Sequence, residues 1–184
     1  MEEKIRKAMF RQVEKEPFAK KFGLKLVGLD DGYSKVEMNF TQDMENIFGM
    51  AHGGALFALI DEAFETSSNS HGTVAVALNM NITYVAPPPP GSRLTAESRE
   101  FSRTNKTANY DIKVVDEQGK LIASCQALVY RKGDPLPFLW RSSLRDHCCP
   151  RNPELIATSV DSIGLFDWHV RLSKSGSPQS RRGR

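Results

Sequence analysis

Apolar and polar residues alternate along six segments of the chain, which is the pattern of half-buried β-strands. In the second segment, Val36, Met38 and Phe40 fall on one face with polar residues between them. Asp30-Asp31-Gly32 joins the first two segments and residues 116–119 join the last two, and both are typical hairpin turns. The predicted strands are residues 22–29, 33–40, 73–85, 93–103, 107–115 and 120–130.

One segment between the second and third strands has almost no polar face. Residues 55–60 are all apolar, and the apolar run resumes at Ala63 and Phe64 after two carboxylates. A helix that is hydrophobic on all sides is a buried helix, so residues 52–68 predict one that the strands cover. Two strands, a buried helix and four further strands predict an α+β fold, with a long antiparallel sheet wrapped around one central helix.

Composition divides the chain into three regions. Residues 1–21 predict an N-terminal amphipathic helix, and residues 22–133 predict the wrapped-sheet domain. Residues 134–184 predict a C-terminal extension that is irregular or disordered, because no strand or helix period is sustained there. The sequence pattern changes abruptly in this region, which leaves two equal alternatives. The region is a natural extension that packs over the domain, or it is non-native sequence. The apolar side of the first helix consists of Ile5, Met9, Phe10 and Val13.

Charge and hydropathy exclude several classes of function. Of the residues, 40% are hydrophobic and 26% charged, as in soluble globular proteins. The net charge is +3, but residues 1–138 hold 17 basic against 18 acidic residues, whereas residues 139–184 hold 8 against 4. The main domain therefore lacks the basic excess of a nucleic-acid-binding protein. The apolar runs are too short to span a membrane, so we expect neither nucleic-acid nor membrane partners.

The cysteines indicate a reducing compartment. Cys125 lies alone in a predicted strand, and Cys148 and Cys149 are adjacent in the C-terminal region. This spacing makes neither a disulfide framework nor a zinc site, and we expect no metal and no cofactor. The N-terminus also lacks the apolar core of a signal peptide, which favours a cytoplasmic location. Cys125 is expected to be a small buried apolar residue.

Asp61 is the most informative residue, because it lies inside the apolar helix. An ionisable side chain there is costly unless it is paired, hydrogen-bonded or catalytic. Apolar surroundings raise the pKa of a carboxyl group, which suits a general base near neutral pH; direct attack as a nucleophile is the alternative. A purely structural role as a hydrogen-bond acceptor also stays open. Glu62 points about 100° away on the helix and is expected to be solvated or paired.

Gly53 and Gly54 open the same helix. The first turn of a helix has free amide groups and partial positive charge, and glycine lets a ligand oxygen approach them, as an oxyanion would. Asp61 lies eight residues beyond Gly53, about 12 Å along the helix axis. One helix cannot easily bring both groups to one carbonyl carbon. We therefore expect a homodimer with sites at the subunit interface, or a pair of such dimers in a tetramer.

The motif Asn46-x-x-Gly49-x-x-His52-Gly53-Gly54, followed by Asp61, resembles that of hotdog-fold acyl-CoA thioesterases. The resemblance covers residues 20–132 and is nearest to the phenylacetate-pathway type and the acyl-CoA thioesterase-13-like family. It implies hydrolysis of an acyl-CoA thioester, with Asp61 as general base or nucleophile. It further implies that the Gly53 amide polarises the carbonyl, that Asn46 holds the carbonyl or the attacking water, and that His52 is mainly structural.

The sequence departs from some of these relatives at one position. They place a water-orienting serine on the strand after the helix, where this chain has Ala77. Thr66, Ser67 and Asn79 are candidate substitutes. The residues expected to bind substrate are His52, Gly54, Phe48, Met50 and Thr66.

The acyl group and the coenzyme define further candidates. Methionine and phenylalanine surfaces accept aryl or medium aliphatic chains alike, so the sequence does not choose between them. Each basic candidate for the phosphates of coenzyme A is equally well an ordinary solvated charge. The acyl candidates are Met44, Phe48, Met50 and Phe57, and the basic ones are Arg93, Arg103, Lys106, Arg131 and Lys132.

Two other functions compete with thioester hydrolysis. A hotdog protein that binds acyl-CoA or lipid without catalysis is one, although the presence of Asp61 argues against it. A hotdog hydratase or dehydratase is the other, and it requires a catalytic histidine paired with a carboxylate across the site. His52 precedes Asp61 too closely on one helix for that arrangement.

Overall fold

A six-stranded antiparallel sheet curves around one long helix in the structure, a computed structural model that describes residues 1–139. The expectations for Cys148, Cys149 and the rest of the C-terminal extension after residue 139 lie outside the described residues. The helices are α1 (Glu3–Val13), α2 (Pro17–Phe22) and α3 (Gly53–Asn69), and the strands are β1 (Lys25–Asp30), β2 (Tyr33–Asn39), β3 (Thr73–Tyr84), β4 (Arg93–Arg103), β5 (Thr107–Val115) and β6 (Leu121–Pro135).

The strand order is β1-β2-β4-β5-β6-β3, and every pair is antiparallel. The predicted α+β hotdog architecture is confirmed, and the predicted bounds of β4 and β5 match the observed ones.

Gly32 forms the β1–β2 turn with a φ of +64°, and a Cβ there would lie 2.7 Å from that of Glu100. The β5–β6 turn is closed by Asp116, whose carboxylate accepts the amides of Gln118 and Lys120. β3 lies at one edge of the sheet.

α3 is buried because the sheet covers it on several sides, as its apolar composition predicts. Its side chains face β2, β3, β4 and β5, and Leu59, Ile60 and Ala63 are fully buried. Burying a leucine or isoleucine side chain stabilises a fold by about 1.5–3 kcal/mol. Cys125 of β6 is buried as predicted, and burial raises the pKa of its thiol to about 11.

The N-terminal region differs from the single helix predicted over residues 1–21. Pro17 begins a second helix, and Gly23 ends it with a φ of +64°. Proline suits the first turn of a helix and glycine suits the left-handed residue after its end, so the chain turns here before β1 begins. Strand β1 consequently starts at Lys25, three residues later than predicted. The predicted apolar side of α1 is confirmed, since Met9 and Val13 are buried against the core.

The last strand is longer than predicted. β6 continues through Pro135, beyond both the predicted strand end at residue 130 and the domain boundary placed at residue 133. Leu136 is buried, and its amide donates to the carbonyl of Gly72 over 3.2 Å. Within residues 1–139, no helix is long and apolar enough to cross a membrane.

Candidate active site

One amide at the start of α3 has no hydrogen-bond partner in the described chain. The Nδ1 atom of His52, the N-cap residue, accepts the amide of Gly54 over 2.9 Å. The carbonyl of His52 accepts the amides of Ala55 and Leu56. These bonds satisfy the first-turn donors except that of Gly53, whose N–H bonds to no residue in 1–139. The positive end of the helix therefore offers one free donor, and Gly54 is not a second one.

The loop before α3 is shaped by Asn46. Its side-chain oxygen accepts the amides of Phe48 and Met50 over 2.8 and 3.2 Å. This use of a side chain as a local acceptor is an Asx-type turn, and it leaves the Asn46 NH2 group without a partner among residues 1–139. A cavity of about 310 Å³ lies between this loop and the helix start, lined by Asn46, Met50, Ala51, Gly53, Leu56 and residues 84–88.

Tyr84 is a residue of this cavity that sequence reasoning did not assign to the site. Its hydroxyl donates to the carbonyl of Gly53 over 3.1 Å, and its ring lies 3.2 Å from the position a Cβ on Gly53 would occupy. The signal that could have found it is the segment Met80-Asn-Ile-Thr-Tyr84-x-x-Pro87, which lies within residues 20–132 and is similar to a segment of the same thioesterases. Tyr84 fixes the peptide that follows the free amide, and it limits the space beside Gly53.

Asp61 lines a second cavity, of about 480 Å³, which shares no lining residue with the first. The walls come from α1, α3, the start of β3 and residues 136–138, and most of the side chains are apolar. Asp61 is half-buried, and burial raises the pKa of its carboxyl group, as predicted. Its position eight residues after Gly53 places the two about 12 Å apart along one helix. Within one chain the free amide and the carboxylate therefore lie at separate cavities, the Gly53 cavity and the Asp61 cavity.

The expectation for Glu62 is wrong. The side chain is only 3% exposed, and its carboxyl group makes no hydrogen bond or ion pair with any residue in 1–139. Burial, with the negative charges of Glu16, Glu65 and Asp61, raises its pKa from the usual 4.5 to about 8. The helical spacing explains the burial: Glu62 follows Leu59 by three residues and precedes Thr66 by four, both of which are buried.

The candidate substitutes for a water-orienting serine lie in different places. Ala77 and Thr66 line the Asp61 cavity, but the Thr66 hydroxyl contacts that of Ser34 at 2.6 Å and donates to the Glu62 carbonyl over 2.7 Å. Ser67 is buried, with its hydroxyl 2.7 Å from that of Ser98, and Asn79 is exposed. Thr66 therefore lines the cavity, but its hydroxyl group already makes hydrogen bonds to Ser34 and to the Glu62 carbonyl.

The acyl candidates separate in the structure. Met50 lines the Gly53 cavity, whereas Met44 is buried in the core. Phe48 and Phe57 are 74% and 40% exposed and line neither of these two cavities.

None of the basic candidates lines the Gly53 cavity or the Asp61 cavity. Arg103 and Arg131 instead border a separate polar cavity that also contains His71. His71 does pair with a carboxylate, that of Glu100 at 2.9 Å. That pair lies beyond the C-terminal end of α3, away from Gly53 and Asp61, so it does not complete a hydratase site there.

A six-stranded antiparallel sheet wrapped around one long helix, with one cavity at the start of that helix and another beside its half-buried carboxylate, is a hotdog fold. The sequence matches the thioesterase superfamily over residues 48–123. It is 35% identical over 120 residues to the acyl-coenzyme A thioesterase PaaI of Escherichia coli K12, covering 65% of this chain and 86% of that protein. The chain therefore belongs to the hotdog thioesterases of the PaaI type, which are thioester hydrolases.

Solved structures agree with this assignment. The E. coli PaaI protein of the phenylacetic acid degradation operon superimposes with a TM-score of 0.69 and 32% identity, covering 72% of this chain and 96% of that one. A Streptococcus mutans protein, solved bound to acetyl CoA, superimposes with a TM-score of 0.59 and 25% identity, covering 61% of this chain and 91% of that one.

Proposed function

We propose that this chain hydrolyses acyl-CoA thioesters to a free acid and coenzyme A, with Asp61 and the Gly53 amide acting on one carbonyl. The observation that carries the proposal is the free N–H of Gly53 at the positive end of α3. The E. coli relative is an acyl-coenzyme A thioesterase by name, and the S. mutans neighbour was solved with acetyl CoA. Both support coenzyme A as the thiol half of the substrate.

In the proposed reaction the Asp61 carboxylate takes a proton from a water molecule as the water oxygen bonds to the thioester carbon. The carbonyl oxygen becomes an oxyanion, which accepts the Gly53 N–H at the helix end. Collapse of this intermediate breaks the C–S bond, and the proton held by Asp61 leaves with the thiol of coenzyme A. The Asn46 NH2 group, which lines the Gly53 cavity and has no partner in the described chain, would hold the carbonyl oxygen or the water.

The separation of about 12 Å between Gly53 and Asp61 supports a site that two chains share. β3 supports this, because among residues 1–139 it pairs with β6 alone, and its other edge carries N–H and C=O groups that no strand of the described chain pairs with. Val76 and Leu78 on this strand are 38% and 57% exposed. A long edge strand with exposed apolar residues is a template for another chain. Two copies related by a twofold axis would set their α3 helices antiparallel, so that Gly53 of one faces the later turns of the other.

The experiment measures coenzyme A release from aryl and aliphatic acyl-CoA thioesters by wild type and four variants. Asp61→Asn and Asp61→Ala should each lower kcat by about 10²–10⁴-fold, since each removes the base. Gly53→Pro removes the N–H, and proline suits the first helical position after the extended His52 (ψ 131°). It should lower kcat by about 10²–10³-fold. Gly53→Ala is the matched control, because it makes the same Cβ contact with Tyr84 but keeps the amide.

Activity retained by folded Asp61→Ala would overturn the role of Asp61. Equal losses in Gly53→Pro and Gly53→Ala would overturn the role of the amide. A single turnover in ¹⁸O-labelled water separates the two roles left open for Asp61. A nucleophile forms a mixed anhydride, whose hydrolysis can leave the label in the Asp61 carboxylate, whereas a general base never acquires it.

A further inference from the structure

The exposed side chains of residues 1–27, here called the N-terminal surface, carry a charge opposite to that of the rest of the described chain. Residues 1–27 hold eight basic and four acidic side chains, whereas residues 28–139 hold 9 and 14. All eight basic side chains are exposed. The positive charge is therefore concentrated on one part of the molecule, where it can attract an anionic partner.

Most of these basic side chains have no acidic partner within the described chain. Glu3 pairs with Lys7 at 3.5 Å and with Arg6 at 4.0 Å. The other six make no ion pair with any residue in 1–139, and they are Lys4, Arg11, Lys15, Lys20, Lys21 and Lys25. Their charges are therefore available to a partner.

Exposed phenylalanine lies among the lysines of α2. Ala19 is the buried residue of this helix, and a rotation of about 100° per residue turns Phe18, Lys20 and Lys21 away from the core. Phe18 is 48% exposed, and its ring lies 4.9 Å from that of Phe22. Lysine beside exposed phenylalanine is typical of helices that lie in the interface of a membrane.

A groove of about 410 Å³ lies between the end of α1, α2 and β1. Lys20 and Lys25 line it, and so does Val27, which is 45% exposed. Glu14 is the one acidic residue of the described chain that lines it, and the remaining lining residues are the apolar Phe10, Val13, Leu24 and Leu26. The groove therefore combines lysine side chains with an apolar floor.

A bilayer that contains anionic lipids matches both the charge and the apolar side chains. Its headgroups attract unpaired lysines, and the acyl boundary beneath them accepts phenylalanine and valine. A nucleic acid would engage the lysines but leave Phe18 and Val27 exposed to water. The expectation of no membrane partner rests on the absence of a spanning segment, which docking from outside does not need.

We propose that the N-terminal surface docks on the anionic face of a lipid bilayer and holds this protein at a membrane without spanning it. Lys20, Lys21 and Lys25 contact the headgroups, and Phe18 and Val27 enter the interface. These five residues line neither the Gly53 cavity nor the Asp61 cavity, so docking is separable from thioester hydrolysis.

The test is co-sedimentation of the full chain with phosphatidylcholine vesicles, with and without phosphatidylserine. Binding should require phosphatidylserine and should be lost at about 1 M salt, where the screening length falls to about 3 Å. Each basic residue near an anionic bilayer strengthens binding about fivefold, so replacing Lys20, Lys21 and Lys25 together by glutamine should lower the partition coefficient about 100-fold. Phe18→Ser should lower it about 3–10-fold, because a half-exposed phenylalanine no longer enters the interface.

Two other triple variants remove the same charge elsewhere and serve as matched controls. One carries glutamine at the exposed lysines of β5, β6 and the turn between them, which are Lys113, Lys120 and Lys132. The other carries glutamine at three basic residues of the C-terminal region, Lys174, Arg181 and Arg182. Both should bind within a few-fold of wild type, and circular dichroism verifies that every variant folds.

Four outcomes would overturn the inference. Wild type that does not bind the phosphatidylserine vesicles is one, and undiminished binding by the Lys20, Lys21 and Lys25 variant is another. Equal losses in all three triple variants would show that general positive charge explains the binding. Binding to soluble polyglutamate but not to the vesicles would assign the N-terminal surface to an acidic protein instead.

Discussion

Replacing Glu62 by leucine should change how the stability of this protein depends on pH. In the folded chain the pKa of Glu62 is about 8, against 4.5 for an ordinary glutamate. Between these values the folded chain holds a proton that the unfolded chain has released. The free energy of unfolding therefore falls as the pH rises through this window.

The size of the effect follows from the same two pKa values. Each pKa unit corresponds to about 1.4 kcal/mol, so Glu62 removes up to ~5 kcal/mol between pH 4.5 and pH 8. Glu16, Asp61 and Glu65 act in the same direction, because burial raises the pKa of each. Glu62→Leu removes the largest contributor and also fills the apolar cavity, so its stability curve should lie above that of wild type at pH 8 and be much flatter.

The assay is urea unfolding at pH 5, 7 and 8.5, at one fixed chain concentration because oligomerisation shifts apparent stability. Glu117→Gln is the control, since it removes an exposed carboxylate in the β5–β6 turn and should follow the wild-type curve. Parallel pH curves for wild type and Glu62→Leu would refute the reasoning. So would a wild-type protein whose stability rises between pH 5 and pH 8.

Three further predictions concern individual contacts. The acid limb of kcat/KM should lie above pH 3.8, because burial raises the pKa of Asp61 and activity is lost as its carboxylate is protonated; a limb at or below 3.8 would contradict this. Tyr84→Phe removes the hydrogen bond to the Gly53 carbonyl and should lower kcat by up to about tenfold. Steady-state assays measure this, and an unchanged kcat would contradict it. Gly72→Ala should lower the free energy of unfolding by about 1–3 kcal/mol, because φ at this residue is +78° and the new Cβ would lie 2.6 Å from the Ile5 side chain. A denaturant titration that shows no loss of stability would disprove this.

The fold could be predicted largely from the hydrophobic pattern. Strands β4 and β5 alternate clearly, and α3 is apolar enough that only burial explains it. The start of β1 could not be placed in the same way. Phe22 is apolar and continues the strand pattern, but Pro17 and Gly23 together make a short helix out of the residues before Lys25. The helix-starting proline and the helix-ending glycine therefore set the start of β1, although the hydrophobic alternation extends further toward the N-terminus.

The local geometry of the candidate site follows from the sequence where it depends on the backbone of one residue, and less so where it depends on tertiary surroundings. The two glycines at the helix start predict free amides, but the structure is needed to show that His52 accepts the Gly54 amide and leaves that of Gly53 without a partner in residues 1–139. The 100° rotation between Asp61 and Glu62 predicts a solvated or paired Glu62 only when no other residue of the helix is taken into account. Its helical spacing from Leu59 and Thr66 would have indicated burial, whereas the cover that α1 gives the cavity depends on long-range packing.

The central claim is that each site combines Asp61 of one chain with the Gly53 amide of another. It is tested most directly by mixing two inactive variants, Asp61→Asn and Gly53→Pro, under conditions in which native mass spectrometry verifies subunit exchange. A hybrid dimer has one site with both defects and one with neither. With random exchange half of the dimers are hybrids, so the mixture should regain about a quarter of wild-type activity. A fully exchanged mixture that stays as inactive as its parents would contradict the shared site.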